Sequence, residues 1–198
     1  MAWTGYYVTG TPQTSVSATW VVPAINVASS PVPSNVLIWV GLDGDGNNFV
    51  EQCGVGGLID PGGTVRWQAW GEFYPAGQSW WSQTAYPVST GDSITATVQA
   101  TTGTGGSCTL SVADTTQGWS ASMTRTNATL TLMNTAPPPL YTAEVIIETD
   151  QPENLMADYG TVTFTGVTGL GAAPNSIVNS PSAISSPLAA GSFALTWQ

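Results

Sequence analysis

Residues 14–22, 36–42, 64–74, 93–101, 107–112, 128–132, 141–149 and 160–165 are rich in Val, Ile, Thr and aromatic side chains, and most of them alternate apolar with polar. A period of two marks half-buried β-strands, because successive side chains leave opposite faces of an extended chain. Clusters of Gly, Pro, Asn, Asp and Ser punctuate the strands at 31–34, 44–48, 60–63, 89–92, 103–106 and 137–139, where turns are cheapest to make. Many short strands at close spacing predict an all-β fold, an antiparallel β-sandwich of two curved sheets in the manner of a lectin-like jelly roll. The stretch 169–188, rich in Ala, Pro, Asn and Ser, predicts a long excursion before a closing strand at 192–197.

The same alternation assigns faces. Along 64–74 it groups Gln68, Trp70, Glu72 and Tyr74 on one side and Val65, Trp67, Ala69 and Phe73 on the other, so the first set predicts a polar, aromatic surface and the second a core. Trp39, Gly41 and Asp43 share a side of their strand, as do Glu144, Ile146 and Glu148 of theirs. A sheet face lined by Trp39, Asp43, Trp70, Glu72 and Glu144 predicts a cleft that suits an extended polymer. The nine Trp residues fit that use, although a core or a lectin groove would employ them equally well.

Composition narrows the chemistry. At 198 residues and 42% hydrophobic content the chain is long enough for one sizeable core, and it is read as a single domain over 1–198. Charged residues are only 7% of it, too few for the outer faces of long helices. Arg66 and Arg125 stand against twelve carboxyl groups, for a net charge of −10, which excludes a nucleic-acid backbone as partner. In acid that charge drains away and few ion pairs exist to break, so the sequence predicts acid tolerance. Histidine is absent, which removes His-ligated zinc, Ser-His-Asp triads and Cys-His dyads. Cys53 and Cys108 are equally compatible with one disulfide or two thiols. No apolar stretch is long enough to span a bilayer and no charged leader precedes Trp3. Met1 is read as the head of a mature or trimmed chain, so the missing leader speaks neither for nor against secretion.

Two runs carry the chemistry: Trp39-Val-Gly-Leu-Asp-Gly-Asp45 through Glu51-Gln-Cys-Gly-Val55, and Tyr141-Thr-Ala-Glu-Val-Ile-Ile-Glu148. With Trp3-Thr-Gly5, Ser15-Val-Ser-Ala-Thr-Trp-Val-Val-Pro23, Ala69-Trp-Gly-Glu-Phe-Tyr-Pro75 and Asp158-Tyr-Gly-Thr-Val-Thr-Phe164, the chain resembles the glutamic peptidases, the eqolisin family, in the family's order and at compatible spacings. The resemblance implies a secreted, monomeric endopeptidase acting in acid on protein or peptide substrates, with no metal and no cofactor. It implies Gln52 and Glu144 as the catalytic pair, Asp43 and Glu72 as groups that orient them, and Trp3, Gly5, Trp39, Trp70 and Tyr74 as cleft residues, with Gly5 allowing close backbone approach to substrate. A carboxyl among aromatics favours its neutral form, which suits Glu144 to proton transfer in acid, and an amide such as Gln52 can hold a water and stabilise an oxyanion. Gly56, Val145, Gly71 and Phe73 depart from the residues usual in the family's fungal members, so the chain looks like a divergent member with altered subsites.

Two other functions compete. A glycoside hydrolase on a similar sandwich needs two carboxyls across the scissile bond, and Glu72 with Glu144, or Glu144 with Glu148, are the available pairs. Ile146 stands where the Glu-x-Asp-x-Glu pattern of jelly-roll glucanases has its central acid, which counts against that class. A non-catalytic carbohydrate-binding sandwich would use the tryptophans and leave the Gln52 and Glu144 runs unexplained.

Overall fold

The computed structural model describes residues 3–10, 12–101, 106–126, 142–179 and 181–198. Its strands, in chain order, are β1 Thr4–Thr9, β2 Ser15–Val21, β3 Ser34–Leu42, β4 Val50–Ile59, β5 Val65–Tyr74, β6 Gln78–Trp80 and β7 Ser93–Ala100. They continue as β8 Ser107–Asp114, β9 Trp119–Thr126, β10 Thr142–Glu148, β11 Thr161–Thr168, β12 Asn175–Ile177, β13 Ser182–Ala189 and β14 Ser192–Trp197. One sheet runs β12-β1-β10-β3-β4-β5-β6 and the other β13-β14-β11-β2-β7-β8-β9. Every ladder between these strands is antiparallel, and the two sheets form the expected β-sandwich.

The core lies between the sheets. β2 contributes Val16, Ala18 and Trp20, β3 contributes Val36, Ile38, Val40 and Leu42, and β5 contributes Trp67, Ala69 and Phe73, as alternation predicts for strands with one face turned inward. β3 and β10 differ, being buried along their whole length. Their second face meets a smaller apolar cluster of Trp3, Leu37, Trp39, Val50, Trp70 and Ile146. Covering both faces explains why Val36-Leu-Ile-Trp-Val40 is a continuous apolar run, as in strands with no wet side.

Several sequence expectations need correction. The 169–188 excursion contains β12 and most of β13; β13 is a sheet edge, where Pro187 and its serines are tolerated because no partner needs every backbone N–H. β1, β4, β6 and β9 were not anticipated. β4 was hidden by glycines of low strand propensity, yet the packing requires them: a Cβ on Gly54 would lie 2.0 Å from the Ile38 carbonyl oxygen, and one on Gly56 would lie 2.7 Å from the Trp80 ring. The strand expected at 128–132 lies outside the described residues. Cys53 and Cys108 are separate buried thiols.

The Asp158-Tyr-Gly run has a structural part. Asp158 accepts hydrogen bonds from the Ser29 hydroxyl and the Gly160 backbone, and the Tyr159 hydroxyl donates to Ser182 Oγ at 2.8 Å. These contacts tie the entry of β11 to the 26–30 turn and to β13.

Candidate active site

Cross-strand register assembles the site. On β4, Gln52 sits opposite Gly41 of β3 and Glu72 of β5, while Glu144 of β10 sits opposite Gly41 from the other side and Tyr7 of β1 beyond. One row across the outer face of the first sheet therefore reads Tyr7, Glu144, Gly41, Gln52, Glu72 and Gln78. Adjacent strands lie about 4.8 Å apart, so Gln52 and Glu144 are separated by roughly 10 Å between backbones. Only a glycine stands between them. A Cβ on Gly41 would come 3.2 Å from Glu144 Oε1 and 2.7 Å from the Trp39 ring, which shows the Glu144 carboxyl leaning over Gly41 toward the Gln52 side.

The Gln52 amide is held from the opposite side. Its Nε2 donates to Glu72 Oε2 at 2.7 Å, and its Oε1 is buried without a partner. One N–H thus fixes the orientation of the amide and leaves the carbonyl oxygen and the second N–H available. Burial raises the Glu72 carboxyl; the Gln52 donor opposes that shift and the nearby Asp150 adds to it.

Glu144 is fully buried, and neither carboxyl oxygen has a hydrogen-bond partner of regular geometry. Burial drives its affinity for a proton well above the ordinary carboxylate range, with Asp43, Glu51 and Asp45 adding like charge and the Thr142 hydroxyl opposing from short of a regular hydrogen bond. Asp43, also fully buried, follows β3 in the left-handed region at φ 65°. Asn47 Nδ2 donates to Asp43 Oδ1 at 3.1 Å, and Asn47 Oδ1 accepts from the Phe49 backbone at 2.9 Å. This knits the 43–49 hairpin loop beside the pair.

A cleft of about 580 Å³ opens on the Gln52 side, lined by Trp3, Gln52, Glu72, Tyr74, Gln78 and Glu148 and walled by the 149–153 segment. Four acids and no base face it. Burial pushes Glu148 up to about 7; Asp150 and Glu72 push the same way, and the indole N–H groups of Trp3 and Trp39 pull against it without making regular hydrogen bonds. A larger hollow of about 730 Å³ lies past Glu153, between Ser29, Met156 and Trp197, away from the pair.

The structure places the remaining sequence candidates differently from expectation. Trp39 and Trp70 are fully buried and do not line the cleft; with Trp3 at 5.1 Å from Trp39 and Trp80 at 6.1 Å from Trp70, they form an apolar patch beside the row, two residues along the same sheet face. Asp43 and Glu144 are sealed as well. Gly5 does not meet the cleft: a Cβ there would lie 2.1 Å from the Val145 carbonyl oxygen, so glycine allows β1 to approach β10, not a substrate. Glu148, which the sequence offered only as a partner acid for a glycoside hydrolase, faces the cleft; Gln78 and the 149–153 wall escaped selection by sequence, as did Glu51, whose position in β4 was unread.

The fold and the cleft define the class, an antiparallel β-sandwich with an acid-lined cleft beside one sheet. The sequence matches the Peptidase A4 family over residues 1–179, and the chain belongs to that family, the glutamic peptidases or eqolisins. Its structure is similar to that of scytalido-glutamic peptidase with a transition-state analog inhibitor, at TM-score 0.77 and 24% identity over 100% of this chain and 98% of that one. It is likewise similar to SCP-B, an eqolisin in a complex with the tripeptide Ala-Ile-His, at TM-score 0.73 and 25% identity over 100% and 98%. No curated protein matches the sequence.

Proposed function

We propose that this chain is an endopeptidase working in acid through Gln52 and Glu144, with water as the nucleophile. The observation that carries the reading is the shared row: an amide and a carboxyl flank Gly41, the one position between them without a side chain. As carboxylate, Glu144 takes a proton from water as that water attacks the peptide carbonyl; as acid it returns the proton to the leaving amine. Gln52 holds the water through its unpartnered oxygen and donates its second N–H to the developing oxyanion, with Glu72 fixing the amide. Removing such a donor costs roughly 10²–10³ in rate in other hydrolases.

An amide beside a carboxyl avoids the repulsion of two carboxylates, so the raised proton affinity of Glu144 comes first from burial. Because Glu144 is fully buried, productive binding must displace the groups over it by about the width of a water. The acid-lined cleft beside Gln52 is where an extended peptide would lie, with Trp3 and Tyr74 as apolar contacts. Low charge content and the shortage of bases fit work as a secreted monomer in acidic surroundings, and no helix among the described residues is long and apolar enough to cross a membrane.

The test is hydrolysis of an unfolded protein across acid and neutral pH by wild type and a folded Glu144→Gln variant, with a glucan substrate in parallel. Cleavage of protein confined to acid and lost in the variant is expected. Clearing of glucan alone would overturn the reading, because Glu72 and Glu148 both face the cleft and would then be the acting pair.

A further inference from the structure

The 149–153 wall has a second side. Glu153, at the start of a 3₁₀ turn over Glu153–Leu155, lines both the acid-lined cleft and the hollow of about 730 Å³ beyond it. The two spaces therefore adjoin at one exposed side chain. Pro31, Pro181 and the ring of Trp197 give the hollow apolar surface. The hydroxyls of Ser29 and Ser30 at its edge are already engaged with Asn26 and Asp158. That leaves the exposed amide of Asn154 as its neutral polar group. The lining holds one acid, Glu153, and no base, so nothing in it would pair an acidic side chain.

Hydrogen bonds from several segments shape the hollow in advance. The Asp158 N–H donates to Ser30 Oγ at 2.8 Å, the Ala157 N–H to the Asn35 carbonyl at 2.9 Å and the Gln198 N–H to the Pro181 carbonyl at 2.6 Å. On the wall itself, the Thr149 hydroxyl donates to Asn35 Oδ1 at 2.5 Å and Asn35 Nδ2 donates to Asp150. A site already formed has little left to order when a ligand arrives. Asn35 also sets the scale, because it bridges to Met156 of the hollow. Gly41, between Gln52 and Glu144, lies six residues further along β3, which is about 20 Å at roughly 3.4 Å per residue. An extended chain held at the dyad thus reaches the hollow with about its sixth residue.

We propose that this hollow is a second binding site for the polypeptide substrate: it takes a distant segment of the same chain, neutral and carrying an apolar side chain, about six residues from the bond that is cleaved. The proposal rests on the peptidase reading for what fills the cleft, and on the continuity at Glu153 for where that chain goes next. Pro31, Pro181 and Trp197 receive the apolar side chain, and the Asn154 amide, with donors and an acceptor, pairs with the backbone. Contacts so far from the reacting bond are the same in the bound substrate and in the transition state, so they act on KM and leave kcat level.

The test uses dye-labelled peptides that share a cleavable core and are extended residue by residue toward either end. On one side only, KM is expected to fall about tenfold once the extension passes the sixth residue, the effect of roughly one hydrogen bond and one buried apolar side chain. Ala28 is an exposed lining residue; Ala28→Trp fills the hollow and should erase that fall, and Asn154→Ala should reduce it. A KM that settles before the sixth residue on both sides, or a fall that survives in both variants, would overturn the inference. So would a wild-type dimer that Ala28→Trp dissociates in sedimentation while the fall in KM persists, which would give the hollow to a second copy of this chain. Fluorescence anisotropy of the longest peptide on Glu144→Gln protein reads binding without cleavage. If wild type cleaves no peptide of any length, the peptidase reading fails; weaker binding when Ala28→Trp is added then keeps the hollow as a polypeptide site, and equal binding sinks it.

Discussion

Raising the pH from 5 to 7 should destabilise this protein by about 5 kcal/mol with no bond broken. Burial lifts Glu51 to about 8 and Glu148 to about 7 from an ordinary 4.5, so in that interval the native chain keeps two protons that the unfolded chain has largely released. Where the native state binds more protons, stability falls as pH rises. Each such group contributes a slope of about 1.4 kcal/mol per pH unit, so the pair gives about 2.7 kcal/mol per unit and about 5 kcal/mol over two units. That is comparable with the whole stability of an ordinary domain, about 5–15 kcal/mol. Stability is full below about pH 4.5, declines through the folded values of 7 and 8, and levels off above them. Glu144, Glu72 and Asp114 are shifted in the same direction and steepen the decline. Asp60, which is lowered, is exposed at a turn and offers no comparable compensation. Urea midpoints at constant ionic strength from pH 4 to 8 measure the effect, and Glu51→Leu should remove close to half of the slope assigned to the pair. A midpoint that stays level or rises between pH 5 and 7 would refute the reasoning.

Three further outcomes follow from the site. Glu72→Leu removes the acceptor that orients the Gln52 amide, and should lower kcat by about 10- to 100-fold, less than the roughly 10²–10³ expected for Gln52→Ala; equal rates for Glu72→Leu and wild type would show that the 2.7 Å bond does not matter to turnover. Gly41→Ala inserts a methyl 2.7 Å from the Trp39 ring and 3.2 Å from Glu144 Oε1, costing about 1–3 kcal/mol of stability and displacing the carboxyl, so its kcat should collapse in protein that still melts cooperatively. Cys53 and Cys108 are buried, and burial pushes the Cys53 thiol up to about 12; a thiol reagent should label neither in folded protein at pH 7 and both after unfolding, whereas rapid labelling of the native state would contradict the packing.

Strand periodicity made much of the architecture readable before any coordinates. Along β5 the division into Trp67, Ala69 and Phe73 against Gln68, Trp70, Glu72 and Tyr74 matches the two faces observed, because a pleated strand leaves alternation as its trace in sequence. The trace vanishes where both faces are covered or where glycine replaces side chains. β4 was therefore missed, and with it the fact that Glu51 alternates with Gln52 and so faces the core. A reading of 50–59 as a strand would have placed an acid among Cys53 and Val55, which is the signal that singles Glu51 out.

The family resemblance named Gln52, Glu144, Asp43 and Glu72 by residue, but pairing in space is a property of register. Gln52 and Glu144 are far apart in the chain, and they meet across Gly41 only because β3 pairs with β4 on one side and β10 on the other. Exposure is likewise a tertiary outcome. Trp39 and Trp70 carry the side chains of a cleft wall yet form a buried patch beside the row, since Trp3 from the chain's start and Trp80 from a sheet edge close over them. Residue type, spacing and charge are local and survive in the sequence; depth, and therefore the proton affinity of Glu144, Glu148 and Glu51, is decided by what distant segments pack on top of them.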